Sequence, residues 1–249
     1  MGDLSGRVAL VTGGAGGIGR AVCRALAAAG ATVAVCDLDG EAAAATAKDL
    51  GDGHGAYSAD ISDSTAVADL VARATRELGP IGILVNNAGI DKIERFVDST
   101  EATWRTIVDV NYLGTVIVTR AVLDAMLEQG FGRIINIGSD AGRVGSSGEV
   151  VYSGTKGAII AFGKALAREV ASKGITVNTV CPGPTDTALL QQVADHNQKM
   201  YDALAKAVPM RRIGAPEDVA PAVAFFAGPG ASFITGQTLS VSGGLTMAG

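Results

Sequence analysis

Histidine and cysteine are both scarce in this chain. Its 249 residues include three cysteines, Cys23, Cys36 and Cys181, and two histidines, His54 and His196. The cysteines are odd in number and have neither C-x-x-C spacing nor a neighbouring histidine, which argues against a disulfide framework and against a zinc site. Each histidine stands alone. We therefore expect no metal site, and a catalytic acid or base other than histidine.

Long apolar runs and blocks of positive charge are missing as well. The formal net charge is -5, and no dense cluster of lysine and arginine offers the basic stripe that a nucleic acid needs. No uninterrupted apolar run reaches the roughly 18 residues of a membrane span. The first residues, MGDLSGRVALVTGG, lack the basic and then apolar pattern of a secretory signal. We expect a cytoplasmic protein with neither nucleic acid nor membrane as a partner.

Short apolar segments, in contrast, are abundant. Runs rich in β-branched residues alternate with longer helical patterns, which is typical of repeated βαβ units. The predicted strands are RVALVTG, ATVAVCD, GAYSAD, IGILVNN, GRIINIG, GITVNTVC and QTLSVSG, and the predicted helices cover 17–29, 40–50, 64–78, 101–128, 150–172 and 216–227. This pattern predicts an α/β Rossmann fold that forms one domain over residues 1–249. Its sheet has seven parallel strands and is doubly wound, with helices on both faces.

Residues 184–213 form a long segment without a strand pattern. The segment is polar and follows the sixth predicted strand, at the edge of the sheet where ligands bind in such folds. A segment of this length at that place is more typical of a substrate lid than of a linker between domains. We therefore predict a lid after strand six.

A glycine-rich turn joins the first predicted strand to the first helix. Residues 12–19 read TGGAGGIG, and glycines let the backbone approach a pyrophosphate, whose charge the free N–H groups of a helix N-terminus meet. Glycines also serve plain tight turns, but the position between a strand and a helix favours a nucleotide site. Gly13, Gly17, Ile18 and Gly19 are the candidate contacts.

The second predicted strand ends in an acidic residue, Asp37. It follows the glycines by about 20 residues, the separation at which a carboxylate reaches the ribose hydroxyls of NAD. The carboxylate also repels the 2′-phosphate of NADP, and residues 14–16 of the turn supply no cation to bind that phosphate. Asp37 could instead cap the next helix, but Asp39 is better placed for that role. We predict NAD as the cofactor, with Asp37 and Leu38 at its ribose.

Tyr152 and Lys156 form a candidate catalytic pair. They are four residues apart in a predicted helix and share a face, and Ser139 ends the strand before that helix. A phenol with a pKa of about 10 needs a nearby cation to act near neutral pH, and Lys156 and a positively charged nicotinamide would supply it. The same spacing also occurs in exposed helix pairs without a function. A hydrolase role for Ser139 is disfavoured, because the G-x-S-x-G elbow and a suitably placed histidine are missing.

These motifs together resemble the short-chain dehydrogenase/reductase family along the whole chain. The resemblance rests on the turn at 12–19, Asp60-Ile61, Asn86-Asn87-Ala88-Gly89, Asn111, Ser139, Tyr152-x-x-x-Lys156 and Pro182-Gly183, which occur in family order. It implies an oxidoreductase that moves a hydride between NAD(H) and a carbonyl group or secondary alcohol. The implied catalytic residues are Asn111, Ser139, Tyr152 and Lys156. The resemblance also implies a homotetramer.

The same resemblance assigns further residues to the cofactor site. Asp60 and Ile61 are implied to flank the adenine, and Asn111 is implied to hold a water that links Lys156 to solvent. The remaining implied contacts are Asn87, Ala88 and Gly89 on the floor of the site, Tyr152 and Lys156, and Pro182, Gly183, Thr185 and Thr187 near the nicotinamide. Taken alone, residues 86–89 could be an ordinary turn after a strand, and Asn111 an ordinary polar residue in a helix.

Three stretches are more distinctive within the family: 139–149, 181–190 and 233–249. They resemble members that oxidise β-hydroxyacyl-CoA thioesters, which implies an acyl-CoA thioester as the small-molecule substrate. Candidate substrate residues are Asp140, Arg143 and Glu149, and candidate contacts for the CoA phosphates are Arg143, Lys199, Lys206, Arg211 and Arg212. Lys199 and Lys206 fit the solvated face of a lid helix equally well.

Other functions stay open at the level of sequence. One is the reduction of a 3-oxoacyl group on an acyl carrier protein, although the segment at 128–131, EQGF, lacks the basic residues that an acidic carrier favours. Another is the oxidation of small alcohols. The third is a catalytically idle, NAD-binding scaffold, and the presence of all four catalytic residue types argues against it.

Overall fold

Seven short runs of β-branched and other apolar residues form the strands of one sheet. The computed structural model describes residues 3–187, 190–191 and 198–248. Within them the strands are β1 (Val8–Thr12), β2 (Thr32–Asp37), β3 (Gly55–Ser58), β4 (Ile81–Asn86), β5 (Gly132–Ile137), β6 (Ile175–Pro182) and β7 (Thr238–Val241). Their order is β3-β2-β1-β4-β5-β6-β7, and every neighbouring pair is parallel. The predicted α/β Rossmann fold with a seven-stranded parallel sheet is confirmed.

Helices cover both faces of this sheet. They are α1 (Gly17–Ala28), α2 (Gly40–Leu50), α3 (Ser64–Leu78), α4 (Glu101–Val108), α5 (Gly114–Gln129), α6 (Ala141–Val144), α7 (Val150–Val170), α8 (Gln198–Ala207) and α9 (Pro216–Ala227). One core cluster includes Val11, Leu26 and Val223, and joins α1 and α9 to one face. The other includes Leu10 and Met126, and joins α3, α5 and α7 to the opposite face. Neighbouring residues of β1 thus point into different cores, as the alternation of a strand requires.

The long helix predicted over 101–128 is continuous but contains a turn of π-helix. The turn spans Asp109–Leu113 and separates α4 from α5. Such turns often occur at functional sites, and this one carries Asn111. The hydropathy pattern cannot reveal it, because the extra residue in the turn is held by contacts that Asn111 makes outside its own helix.

The same stretch, Glu101–Gln129, is long and apolar enough to cross a membrane by length and composition alone, with a mean hydropathy of 1.3 in its most apolar window. The sequence analysis did not anticipate such a segment. In the fold, 39% of that window is buried, and Val118, Val122 and Met126 lie in the core. A helix packed on a sheet has the same composition, so this feature is weak evidence for a membrane span.

The short helix α6, which the sequence analysis did not predict, lies unusually close to α7. A Cβ atom on Gly142 would be 2.6 Å from the carbonyl carbon of Lys156 and 2.7 Å from the amide nitrogen of Gly157. Both are backbone atoms that cannot rotate away, so the contact requires glycine. It holds the residues just before α6, Ser139 and Asp140, beside the helix that carries Tyr152.

We expect Gly142→Ala to lower the free energy of unfolding by about 1–3 kcal/mol, because the backbone of α7 must shift to admit a methyl group. Gly154→Ala is the matched control. Nothing lies within 4 Å of a Cβ atom on Gly154, and alanine in a helix is more stable than glycine by up to about 1 kcal/mol. Urea denaturation of both variants measures the difference. Equal midpoints for Gly142→Ala and the parent protein would contradict the close packing.

Candidate active site

A cleft of about 800 Å³ lies at the carboxyl ends of the strands. Parallel strands all end at the same edge of a sheet, so side chains that follow β1, β2, β4, β5 and β6 converge there. The cleft is lined by every residue that the sequence analysis placed at the cofactor. From the catalytic set, Ser139, Tyr152 and Lys156 line it as well.

The glycine-rich turn brings α1 directly against the ends of two strands. A Cβ atom on Gly19 would overlap the carbonyl oxygen of Gly13 and lie 2.7 Å from Nδ2 of Asn87. Gly13 itself has a φ of +61°, in the left-handed region that favours glycine. Gly16 precedes α1, and no side chain caps the helix there. The first N–H groups of α1 therefore face the cleft, as an anion site needs.

Asn87 and Thr12 lock the ends of β4 and β1 together. Nδ2 of Asn87 donates to the carbonyl oxygens of Thr12 at 3.0 Å and Gly13 at 2.9 Å. The hydroxyl group of Thr12 accepts the N–H groups of Asn87 and Ala88 at 3.1 and 3.2 Å. The Asn-Asn-Ala-Gly segment is thus part of the wall that holds the turn in place, and not an isolated turn after a strand.

Asp37 lies at the cleft with its carboxylate beside the turn. Its Oδ2 accepts the N–H of Ala15 at 3.0 Å. Asp39 caps α2, accepting the N–H groups of Glu41 and Ala42 at 3.0 Å each, so Asp37 is not needed as the cap. Beside it, Leu38 is 72% exposed, and Asp60 and Ile61 complete this end of the cleft.

A cation lies closer to the turn than the sequence analysis expected. The guanidinium group of Arg20, from the first turn of α1, donates to the carbonyl oxygen of Ala15 at 2.9 Å. Motif inspection missed it because Arg20 follows the glycines, and the helix turn brings it back toward them. The described residues that line the cleft still carry more negative than positive charge. They include the acids Asp37, Asp60, Asp140 and Glu149, and one cation, Lys156.

Lys156 is almost completely buried, with 4% of its surface exposed. Its Nζ donates to the carbonyl oxygen of Ile137, the last residue of β5, at 2.9 Å, and lies 5.6 Å from the ring centre of Tyr152. Burial lowers the pKa of the ammonium group to about 8, against smaller opposing effects of Cys181 and Asp91. The ammonium group therefore loses its proton far more easily than an exposed lysine.

Burial also acts on the ionisation of Tyr152. The sequence analysis expected Lys156 and a positively charged nicotinamide together to lower the pKa of this phenol. In the fold, burial raises the pKa of Tyr152 above its usual value, and contact with the Ser139 side chain lowers it by less. The negative charges of Glu149 and Asp91 raise it further. The phenol is thus held in its protonated form, the form that can donate a proton.

Asn111 is fully buried and its side chain is held by the backbone. Oδ1 accepts the N–H of Ile90 and Nδ2 donates to the carbonyl oxygen of Ile90, both at 2.8 Å, and Nδ2 also donates to Thr155 at 3.3 Å. A Cβ atom on Gly89 would lie 3.2 Å from Oδ1 of Asn111 and 3.3 Å from Nζ of Lys156. The fold thus brings Asn111 and Lys156 together around Gly89, and the water between Lys156 and solvent stays a prediction.

The segment that follows β6 contacts the glycine-rich turn. Thr187 packs on it, with a side-chain carbon 3.3 Å from a Cβ atom built on Gly17, and Thr185 bridges to Gly214 at the far end of the predicted lid. Part of that lid, 188–189 and 192–197, lies outside the described residues. In the rest of the lid, two leucines line the cleft: Leu204 on α8, and Leu190 before that helix.

The three candidate substrate residues take different positions. The guanidinium group of Arg143 donates to the hydroxyl group of Ser240 at 2.8 Å and to the carbonyl oxygen of Ala248, and it is not among the residues that line the cleft. Asp140 is buried and accepts from the same Ser240 hydroxyl group. Asp140 and Glu149 both line the cleft. Arg143 and Asp140 thus tie the chain after Ser139 to the C-terminal segment.

The lid cations also lie away from the cleft lining. Arg212 forms an ion pair with Asp218, with one N–O distance of 2.7 Å, and Arg211 donates to the carbonyl oxygen of Lys206 at 2.6 Å. Lys199 and Lys206 are exposed on α8. Their side chains therefore fit the alternative of a solvated helix face.

Several residues that line the cleft belong to no sequence motif and were not predicted. They come from four separate segments and are Ile90, Ile93, Val144, Leu204, Leu245 and Thr246. Asp91 lies next to the catalytic helix and contacts Glu149. A scattered apolar lining has no fixed spacing, so only the folded chain reveals it.

Cysteine and histidine have structural surroundings. Cys23, Cys36 and Cys181 are buried free thiols, and Nδ1 of His54 accepts the N–H of Val33 at 3.0 Å. Across the part of the chain that the structure describes, no group of three histidine, cysteine, aspartate or glutamate side chains is arranged to hold a metal ion.

Comparison with known proteins agrees with this geometry. Residues 13–246 match the model of the family described as enoyl-(acyl carrier protein) reductase, within the short-chain dehydrogenases/reductases. An acetoacetyl-CoA reductase of Allochromatium vinosum is 43% identical over 246 residues, which cover 97% of this chain and 99% of the relative. A 3-oxoacyl-(acyl-carrier-protein) reductase of Vibrio harveyi is 38% identical over 245 residues, with 98% and 99% covered.

A third relative carries a different kind of name. Nodulation protein G of a Rhizobium strain is 41% identical over 247 residues, with 99% of this chain and all of the relative covered. The match of the family model to nearly the whole chain agrees with the Rossmann sheet and with the cradle for a nicotinamide cofactor. The chain belongs to the short-chain dehydrogenase/reductase family of oxidoreductases.

Proposed function

We propose that this protein is an NAD(H)-dependent dehydrogenase that interconverts the secondary alcohol of a β-hydroxyacyl-CoA and the ketone of the matching β-ketoacyl-CoA. The observation that carries the reaction is the contact between the side chains of Ser139 and Tyr152 in the cleft, beside buried Lys156. The substrate class is supported by the names of relatives, one an acetoacetyl-CoA reductase and another a reductase of 3-oxoacyl groups on a carrier protein.

In the proposed reduction, the ketone oxygen sits between the hydroxyl groups of Ser139 and Tyr152. Oγ of Ser139 accepts the N–H of Ala141 at 3.1 Å, which leaves its own O–H free to point at the ketone. Tyr152 gives its proton to the same oxygen as the carbon gains a hydride, and the phenolate is then reprotonated from solvent. A bound nicotinamide supplies the hydride in reduction and accepts it in oxidation.

The proposed cofactor is NAD rather than NADP. Support comes from Asp37, whose carboxylate faces the turn, and from the excess of acids along the cleft, since both disfavour a further phosphate on the ribose. Arg20 is a nearby cation and would instead favour the additional phosphate of NADP. Asp37 is the closer of the two to the predicted ribose position, because it ends β2 and lines the cleft, whereas Arg20 is exposed on α1.

An apolar acyl group suits the other half of the cleft. Its lining includes Ile90, Ile93, Val144, Leu204 and Leu245, and contact with such side chains favours hydrocarbon over a polar substrate. The stretches 139–149, 181–190 and 233–249 closely resemble 2-hydroxycyclohexanecarboxyl-CoA dehydrogenase. We therefore propose a cyclic β-hydroxyacyl-CoA of this kind as the substrate. The phosphates of CoA would then lie outside the cleft, since Lys156 is its only cation among the described lining residues.

The second candidate is a 3-oxoacyl-(acyl-carrier-protein) reductase. The observation that favours it is the identity of 38% to the Vibrio harveyi reductase over nearly the full length of both chains. The chemistry at Tyr152 is the same in both cases, so the two candidates differ only in what carries the acyl group.

We also propose that the chain forms homotetramers and works in the cytoplasm. Assembly is supported by large apolar side chains that are exposed near one edge of the sheet, because contiguous apolar surface is typical of an interface. They are Phe225 on α9, Phe233 between α9 and β7, and Leu239 on β7. The location is supported by the three buried free thiols, which are typical of a reducing compartment.

The substrate is tested by a screen of thioesters and free alcohols with both cofactors. We expect kcat/KM for a cyclic β-hydroxyacyl-CoA with NAD to exceed that for the same acyl group on a carrier protein by about tenfold or more, a difference of about 1.4 kcal/mol. NADH formation is followed by absorbance. A higher kcat/KM on the carrier-bound thioester would assign the second candidate, and turnover of free alcohols alone would exclude both.

Replacement of Tyr152 by phenylalanine tests the proton donor. We expect Tyr152→Phe to lower kcat by about 10²-fold or more, because the transferable proton is lost while the ring is kept. NADH binding, measured by fluorescence, is expected to persist. Tyr57→Phe is the matched control, since that phenol bonds Glu77 at 3.0 Å and does not line the cleft. A Tyr152→Phe variant with parental activity would show that the proton comes from another group.

Cofactor choice is tested at Asp37. We expect kcat/KM with NAD to exceed that with NADP by about 100-fold, or about 2.7 kcal/mol, and Asp37→Ala to narrow this ratio. Asp39→Ala is the matched control. It removes the cap of α2 and costs about 1 kcal/mol of stability, yet is expected to leave the ratio unchanged. Equal efficiency of the parent protein with both cofactors would refute the proposed preference.

A further inference from the structure

A cavity of about 20 Å³ lies next to Tyr152. Two loops and α4 enclose it. The first loop, residues 90–95, follows β4 and supplies Asp91, Lys92 and Glu94, and the second, 145–149, leads into α7 and supplies Gly148 and Glu149. Lined by several polar groups, a space of this size fits one water molecule. The feature of interest in it is a pair of carboxyl groups, those of Asp91 and Glu149.

The Asp91 carboxyl group contacts the Glu149 side chain, and both residues line the cavity. An ionised carboxylate only accepts hydrogen bonds, so the two can bond only while one of them carries a proton. Oδ1 of Asp91 already accepts the N–H of Lys92 at 2.7 Å. Oδ2 of Asp91 is buried, and apart from a proton on Glu149 it has no donor among the described residues. A proton shared between the two carboxyl groups would supply the missing donor, and the pair of Asp91 and Glu149 is called the carboxyl dyad below.

A backbone hydrogen bond also joins the two loops. The N–H of Glu94 donates to the carbonyl oxygen of Gly148 at 3.0 Å, and a side-chain carbon of Ile93 lies 3.4 Å from a Cβ atom built on Gly148. The dyad is the link closest to the catalytic helix, because Glu149 immediately precedes α7 and its carbonyl oxygen accepts the N–H of Ser153 at 2.7 Å. The Glu149 side chain does not cap the helix and is turned toward Asp91 instead.

Few other charges act on this dyad. On the first loop, Lys92 and Glu94 form an ion pair at 2.8 Å. From α7, the ammonium group of Lys156 favours the ionised form of Asp91. The α4 side of the cavity supplies Ser99, Thr103, Trp104 and Ile107, none of which is charged. Burial and the nearby charge of Glu149 outweigh Lys156 and raise the pKa of Asp91 to about 7.

We propose that Asp91 and Glu149 are positioning residues that share one proton. The hydrogen bond through this proton joins the loop after β4 to the start of α7, and so holds Tyr152 in place for proton transfer. When the proton is lost, two negative charges face each other in a buried space, and their repulsion separates the loops. Tyr152 is in the first turn of α7, the helix that begins directly after Glu149. Its hydroxyl group then no longer meets the substrate oxygen in line with Ser139. The proposal rests on the alcohol–ketone chemistry proposed above.

Replacing the Asp91 carboxyl group by an amide distinguishes the effect of the shared proton from the effect of the hydrogen bond. In Asp91→Asn, the side-chain amide can donate to the Glu149 carboxylate, so the hydrogen bond no longer depends on a shared proton. Asp91→Ala removes the bond altogether. Asp98→Asn is the matched control, because Asp98 is an exposed acid of the same segment that pairs with Arg95 at 2.7 Å.

The test measures kcat for ketone reduction between pH 6 and pH 9. We expect the ratio of kcat for Asp91→Asn to kcat for the parent protein to rise about tenfold between pH 6 and pH 8, since an acid with a pKa near 7 is about nine-tenths ionised at pH 8. Using a ratio cancels the pH dependence of groups that do not sense the charge of Asp91. Asp91→Ala is expected to be slower than the parent at every pH. A constant ratio for Asp91→Asn, or parental rates for Asp91→Ala, would overturn the proposal.

A melting experiment provides a readout that needs no substrate. The pKa of Asp91 is raised in the fold, so its stabilising contribution is complete at low pH and is lost as the pH rises from about 4 to about 7. We expect the melting temperature of Asp91→Asn, relative to the parent protein, to increase over this window and to stay level above it. Asp98→Asn is expected to show no such increase. A difference in melting temperature between Asp91→Asn and the parent protein that stays constant with pH would refute the dyad, even if the proposed substrate proves correct.

Discussion

A positive charge buried between α7 and the sheet is the constraint on which the site depends. The ammonium group of Lys156 has 4% of its surface exposed and donates to the carbonyl oxygen that ends β5. A buried ammonium group needs such a partner, so α7 must cross the sheet at the end of that strand. Tyr152, one helical turn earlier, then meets Ser139, two residues beyond the same strand end. The hydrogen bond between the Lys156 ammonium group and this carbonyl oxygen therefore brings Tyr152 and Ser139 together.

The carboxyl edge of the sheet supplies the rest of the cradle. β1 and β4 are neighbours in the sheet, and Asn87 and Thr12 join their ends by side-chain hydrogen bonds to the backbone. This link leaves room for glycine alone at position 19. The phosphate-binding end of α1 is thereby fixed relative to the catalytic helix, although the two are far apart along the chain.

Burial explains the ionisation of the whole site. The same loss of contact with water favours the protonated phenol of Tyr152, lowers the pKa of Lys156 to about 8 and raises that of Asp91 to about 7. Each group is shifted toward its neutral form, which is the general effect of low polarity on charge. The pKa of Tyr152 could not be inferred from its helical spacing with Lys156, because spacing reports the neighbours of a side chain and not its contact with water.

The sequence by itself determined the sheet, the glycine-rich turn and the catalytic pair, because each depends on residues that are close along the chain. Alternation of apolar residues defines a strand, and a separation of four places Tyr152 and Lys156 on one helix face. Only the tertiary structure decided where Arg143 points, since its partners Ser240 and Ala248 are 97 and 105 residues away. It also decided the π turn at Asn111, the approach of Arg20 to Ala15 and the pairing of Asp91 with Glu149. These depend on which loops meet in space, and no local pattern of residues records that.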